Sequence, residues 1–379
     1  MKKKYLIIFA LAGVLVGALL GYFAVRNGDT DPADEASLLP FTKNLVLHYE
    51  FELGGRDDGF SYKSFNAYVN GSKLQRLLVM DDGNFIVEVL EITDTGRMVN
   101  TNSFNGIGQW VSPFIDILGS SAQMYQTILP ASIALRERWV ADPLSSAEQT
   151  MREITGMDIS ITTPAGTFNT IEVTTTRPAD ETFLVPPTVR TYFAPGIGVV
   201  KEITCDGVSV SMASFEARRD NREDFMHTKR LVAIEREGLV LDVPVFYLDG
   251  SMGGFPVIQI HFTTNNDLNK LFGEAMGRVS QALFGRELGA DILQGAFINP
   301  NSQNLHLDFS GEFLSVMQGV TSLEAEERII NAIVDTFGAL YNAQGVTITV
   351  DNAPYNGVFV RFGSMEFRPV MYHDLYAEN

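Results

Sequence analysis

The run Asn304-Leu-His-Leu-Asp-Phe309 alternates apolar and polar side chains, the two-residue period of a strand with one face in a core and the other in water. After a turn rich in Ser and Gly, Thr321-Ser-Leu-Glu324 has capping-box spacing, and Leu323, Ile330, Val334, Phe337 and Tyr341 recur at helical intervals. The helix ends in Asn342 to Gly345. Val346, Ile348 and Val350 then alternate again before the turn Asp351-Asn-Ala-Pro-Tyr355. Upstream, Ile258, Ile260 and Phe262 share one strand face. Asn266 or Asp267 caps a second helix, which carries Leu268, Leu271, Phe272, Ala275, Met276, Val279 and Leu283 as one stripe and stops at Gly285 to Gly289. Two such helices must lay their stripes on a mixed sheet.

The amino-terminal half has the other period. Leu45, Leu47, Tyr49, Phe51 and Leu53 alternate with polar residues, and strands follow at Tyr62 to Val69, Lys73 to Met80 and Phe85 to Leu90, with turns at Asn70-Gly71 and Asp81-Asp-Gly83. Phe104 to Trp139, broken by Pro113 and Pro130, reads as a cover over one face of this meander. Hairpins resume with Ile159 and Ile161, the turn Pro164-Ala-Gly166, then Phe168, Ile171 and Val173, followed by Tyr192 to Lys201 and Val208 to Phe215. Arg218 to Glu237 is the densest run of charge and reads as a connection between domains.

Met1 to Lys4 is basic, and Tyr5 to Val25 follows as 21 residues without a charge, the length of a membrane-crossing helix. A cleaved signal normally has a shorter apolar region and an Ala-x-Ala site, so the segment reads as a permanent anchor with the lysines in the cytoplasm. Gly13, Gly17 and Gly21 put small residues on one face of it. With no cysteine at its end, a lipoprotein anchor is not expected.

The expected fold class is therefore α+β. It comprises an N-terminal transmembrane helix, a mainly antiparallel curved β-sheet domain, and an α/β sandwich with two helices on one face of a mixed sheet. The expected bounds are a basic tail at 1–4, the membrane helix at 5–25, a linker at 26–43, the β domain at 44–217, a charged linker at 218–238, the α/β domain at 239–364 and a tail at 365–379.

Composition narrows the function. Of 379 residues 45% are apolar, enough for two sizeable cores, and the formal charge of −18 argues against nucleic acid or an anionic membrane surface as a partner. Without Lys2, Lys3, Lys4 and Arg26 the remainder holds 24 basic residues against 46 acidic ones. Cys205 is the only cysteine, which excludes an internal disulfide and a cysteine-based zinc site, and it reads as a small core residue. No nucleophile elbow, Walker loop or His-Glu-x-x-His pair occurs. His48, His227, His261, His306 and His373 are scattered, and Asp57-Asp-Gly59 and Asp81-Asp-Gly83 are turn chemistry rather than calcium loops. No catalytic residue, cofactor or metal site is expected.

Several phrases carry resemblances. Leu307-Asp-Phe-Ser-Gly-Glu-Phe313, Ile330-Asn-Ala-Ile-Val-Asp-Thr-Phe337 and Val346-Thr-Ile-Thr-Val-Asp351, with Ala282-Leu-Phe-Gly285 and Ala296-Phe-Ile-Asn-Pro300 before them, resemble the GerMN domain of sporulation and spore-germination proteins over Leu241 to Phe362. That resemblance implies an extracytoplasmic, non-enzymatic module with a fold similar to the ring-building modules of secretion machines. Thr163-Pro-Ala-Gly-Thr-Phe168 and Phe193-Ala-Pro-Gly-Ile-Gly-Val-Val200 are similar to phrases of secreted LolA-like curved-sheet domains.

Two functions follow as expectations. The first is a tethered structural protein that joins an envelope or sporulation assembly, or a second copy of itself, through strand edges and an acidic ridge of Glu324, Glu326, Glu327 and Asp335. The second is a binder of lipid or another apolar ligand between the curved sheet and its cover, with Trp139, Tyr192 and Phe193 in the wall and a cavity of roughly 300 Å³ or more. An enzyme of the cell wall finds no residues to support it.

Overall fold

The computed structural model describes residues 38, 40–53, 59–81, 83–104, 114–141, 150–176, 183–185, 187–205, 208–209, 226–247, 255–299, 302–363 and 366–371. Twelve antiparallel strands make one sheet in chain order. They are β1 (Val46–Leu53), β2 (Ser61–Asn70), β3 (Lys73–Met80), β4 (Phe85–Ile92), β5 (Met98–Phe104), β6 (Gln126–Leu129), β7 (Arg138–Val140), β8 (Met151–Thr163), β9 (Gly166–Thr176), β10 (Thr188–Ala194), β11 (Gly198–Cys205) and β12 (Met226–Glu235). Neighbours in sequence pair in space, and β12 returns to pair with β1, with Tyr49 opposite Leu231. The remaining edges, β6 and β7, meet at a seam. There the Thr127 amide donates to the Ala141 carbonyl at 2.7 Å, while Arg152 Nη1 and Trp139 Nε1 donate to the Thr127 carbonyl at 2.7 and 3.2 Å. A sheet whose edges join this way leaves few unpaired backbone groups and is a nearly closed barrel.

This corrects the expected class. The described residues are mainly antiparallel β, half of the structure being strand with three α-helices, rather than the expected α+β class. None of those helices is long and apolar enough to cross a membrane, and Tyr5 to Val25 lies outside the described residues. The supposed charged linker at 218–238 contains β12, the strand that closes the ring. Its charges alternate between faces: Arg230 pairs outward with Glu50 at 3.1 Å, and Lys229, one residue earlier, points the other way.

The second unit starts with the antiparallel pair β13 (Leu239–Pro244) and β14 (Val257–Phe262), then α1 (Leu268–Phe284), β15 (Leu293–Asn299) and β16 (Asn304–Phe309). It continues with α2 (Gly311–Met317), α3 (Leu323–Leu340), β17 (Gly345–Val350), β18 (Ala353–Pro354) and β19 (Arg368–Pro369). The parallel pair β16 and β17, joined through α3, is the strand-helix-strand unit that the periodicity predicts. Asp267 caps α1 by accepting from the Asn269 and Lys270 amides, and left-handed Gly285 ends it. The α3 cap is Ser322, one residue later than the predicted box, and Glu324 instead pairs with Arg328 one turn on at 2.9 Å. Helix α2 was hidden in a stretch that reads as turn, and Phe313 and Met317, four residues apart, bury its apolar face. The supposed tail supplies β19.

The two units share one continuous apolar core. Phe65, Leu77, Val79, Val87 and Val89 on the outer face of β2 to β4 pack in the same cluster as Phe262, Phe272 and Tyr341. Phe114 is the wedge between them, stacked on Phe262 with ring centroids 4.0 Å apart and edge-on to Tyr341 at 5.9 Å. Polar contacts fix the fit where β2 bulges at Ala67. Thr264 and Asn44 exchange two hydrogen bonds, Asn265 and Val69 exchange two more, and the Asn265 amide donates to the Ala67 carbonyl. Gln75 holds the segment at 115–117 on the sheet through the Ile115 carbonyl and the Ile117 amide. Replacing Phe114 by Ala should therefore lower the unfolding free energy by about 3–5 kcal/mol. Urea denaturation checks this, and a loss below about 1 kcal/mol would contradict the shared core.

Candidate functional site

The inner face of the barrel is the one place where opposite strands can touch, and it has layers. At the lower end Leu74 and Leu90 of β3 and β4 pack with Ile154, Ile171, Val173 and Phe193 of β8, β9 and β10, and with Met98, Leu129 and Trp139. Each of the fully buried aliphatic chains contributes about 1.5–3 kcal/mol. Leu38 joins this floor, and Asn66 Nδ2 holds the Pro40 and Thr42 carbonyls at 2.8 Å. The residues just before β1 thus stopper the lower end rather than forming a free linker.

Two residues up each strand, on the same face, the lining turns charged. Arg76 lies opposite Glu88 in the β3–β4 register and grips its carboxylate from Nη2 at 2.5 Å and from Nε at 3.0 Å. Lys229 lies opposite Glu202 in the β11–β12 register at 3.2 Å, and Thr191 donates to the same carboxylate at 3.2 Å. Tyr49 and Tyr62 stack between these pairs with centroids 5.0 Å apart, and Tyr49 donates its hydroxyl to the Val199 carbonyl at 2.6 Å. Burial holds both phenols well above their ordinary pKa; for Tyr49 the next cause is the neighbouring Tyr62. Arg152, opposite Thr175 on β8–β9, completes the layer. Burial lowers its guanidinium pKa, with the Glu202 charge acting the other way, and no carboxylate lies within ion-pair distance of it among the described residues.

The four ion-paired side chains keep 16–23% of their surface open to solvent, although they sit below the rim of the barrel. Above them the inner face is mainly apolar, with Thr204 and His227 in register beside Val189. Phe51, Leu78, Ile86 and Val189 are only half-buried, and no apolar core cluster among the described residues includes them. The lower end carries the turns 71–72, 93–97, 164–165 and 195–197 and the eight-residue connection 130–137, whereas at the upper end the strands are joined by the turn 81–84 and across 54–60, 105–125, 141–150, 177–187 and 206–225. Long connections crowded at one end mark the end where a barrel meets its ligands.

The predicted site residues are divided by this geometry. Trp139 and Phe193 both pack on the floor. Tyr192, one residue from Phe193, faces outward, where burial and a hydrogen bond with Glu172 push its pKa up to about 12. Phe114 and Leu118 do cover one face of the sheet, but it is the outer face against the second unit, and the space left there is about 10 Å³. A separate cleft of about 350 Å³ opens beside the seam between Arg97, Pro130, Glu137 and Trp139.

The acidic ridge is not one surface. Glu326 is fully buried, accepting from the Tyr355 hydroxyl at 2.7 Å and the Phe359 amide at 2.6 Å, and Asp335 is buried beneath the Met371 amide at 2.8 Å. Glu324 is exposed and Glu327 half-exposed. Cys205 is half-buried at the upper end of β11. His261 bonds to the Glu237 carbonyl, while His306 stacks on Phe297 and bonds to Thr349, so the two belong to different sheets and different partners.

No family model matches the chain, so the GerMN resemblance has no such match behind it, and no curated protein matches it at significance. Two solved structures are similar. One is a protein from Bacteroides fragilis assigned as exported, with a YmcC-like fold, at 13% identity over 52% of this chain and 98% of that one, with a TM-score of 0.31. The other is a protein from Parabacteroides distasonis assigned as a lipoprotein, at 13% identity over 53% and 100%, with a TM-score of 0.29.

The charged layer makes an energetic prediction. Arg76→Met alone strands Glu88 and should cost roughly 2–4 kcal/mol, whereas Arg76→Met with Glu88→Leu should recover most of that loss. A double-mutant cycle by chemical denaturation measures it. Additive losses would mean that the two side chains do not share the interior.

Proposed function

We propose that this chain is a membrane-tethered extracytoplasmic binding protein whose barrel is a cup for an apolar-tailed ligand. The supporting observation is the order of layers on the inner face: a sealed floor, a charged layer reached by solvent, and a mainly apolar wall that joins none of the buried clusters of the described residues, its Phe51 stacked on half-exposed Phe60. Half-buried Phe51, Leu78, Ile86 and Val189 gain from contact with a hydrocarbon chain, at about 0.8 kcal/mol per buried methylene. The tether rests on Lys2 to Lys4 followed by the uncharged run Tyr5 to Val25. Leu38 then follows the end of that run by 13 residues, so the stoppered lower end faces the membrane and the ligand end faces away. A neutral probe, decanol, should bind the full chain in nanodiscs saturably at one site, and Ile86→Trp or Leu78→Trp, which fill the cup, should abolish binding. Decanol uptake that does not saturate, or that ignores both substitutions, would contradict the cup.

A second reading keeps the assembly role. Val358 and Phe359 stand 45% exposed at the tip of a loop whose base is clamped by Glu326, with exposed Leu323 on the same end of α3. If this end joins copies of the chain, the solution mass should exceed one chain, and Phe359→Asp should reduce it to the monomer. A monomeric mass for both would remove this reading.

A further inference from the structure

We propose that the ligand of the cup is an amphipathic acid, bound head down with its anionic group on Arg152. This rests on the cup reading above and adds the chemistry of the head group. The chain is strongly acidic overall, yet the charged layer of the inner face holds Arg76, Arg152 and Lys229 against Glu88 and Glu202. Arg76 and Lys229 are each neutralised by a carboxylate directly across the register. Arg152 is the surplus cation. Its Nη1 is committed to the Thr127 and Ile128 carbonyls at 2.7 and 3.3 Å, which fixes the guanidinium plane and leaves its other donors without a carboxylate among the described residues.

A buried guanidinium without a counter-ion is costly, and a carboxylate or phosphate forked across its free edge relieves that cost. Thr191 and Lys229 both engage Glu202, the group whose charge acts on Arg152, so that carboxylate is already compensated and Arg152 is the donor left for an incoming anion. With its head at this level, the tail of such a ligand lies against Leu78, Ile86 and Val189, one step up the same face. The floor below is filled by Leu74, Leu90 and Ile154, so the acid cannot enter tail first past the charged layer.

The test compares decanoate, decanol and decylammonium by equilibrium dialysis against the full chain in nanodiscs, with empty nanodiscs as the blank. Decanoate should bind at least about tenfold more tightly than decanol, and decylammonium most weakly. Arg152→Gln should collapse the decanoate-to-decanol ratio toward one, a ratio that does not depend on the folded fraction. Arg152→Lys should keep part of the preference, and Arg138→Gln, on the outer face, should change nothing. A decanoate preference that survives Arg152→Gln, or equal binding of the three probes, overturns the acid while leaving the cup. Failure of all three to bind overturns the cup itself.

Discussion

Closure of the twelve-stranded ring is the constraint from which the rest follows. Once β12 returns to β1 and the Thr127 amide meets the Ala141 carbonyl, every strand has an inside and an outside, and the two-residue period sorts the side chains between them. Arg76 and Leu77 show the consequence. The arginine points into the barrel and finds Glu88, while the leucine points out and joins the core shared with the second unit. A one-residue slip of β3 would bury Leu77 against charge and expose Arg76 to the apolar joint, so the register is fixed from both faces.

The same closure gives the molecule its polarity. The turns and the Leu38 to Thr42 stopper leave the lower end sealed, and the longest connections, 105–125 and 206–225, lie at the other end. The second unit grips the outer wall of β2 to β4 through Phe114 and the Thr264 to Asn265 corner, remote from the inner face. Its sheet, helices and buried Glu326 thus brace the wall of the cup without entering it.

Much of this was legible in the sequence, and the remainder fails for physical reasons. The strands from β1 to β4, the helix caps near Asp267 and Ser322, and the parallel pair around α3 follow from periodicity together with the turn and capping residues that bound them. Strand β12 was hidden because both of its faces carry charge, Lys229 inward and Arg230 outward, so no apolar alternation marks it. Phe114 looked like a lid because its segment is apolar and broken by proline, and only the position of the second unit shows which face it covers. The charged layer has one signal in the sequence: Arg76 in Leu-Gln-Arg-Leu-Leu and Glu88 in Ile-Val-Glu-Val-Leu are lone charges within apolar strands. The pairing of the two depends on the β3–β4 register and needs the structure. The acidic ridge failed for the opposite reason, since Glu326 and Asp335 satisfy backbone amides and a tyrosine hydroxyl that sequence spacing does not show.

The ring itself is tested most directly at its seam, by residue-resolved amide hydrogen exchange of the intact protein. A closed barrel predicts that the Thr127 amide exchanges as slowly as the amides of the paired β3 and β4 strands, because its proton is held by the Ala141 carbonyl. Exchange of Thr127 at the rate of an unprotected edge strand, with β3 and β4 still protected, would show an open sheet with no interior and would contradict the cup built on it.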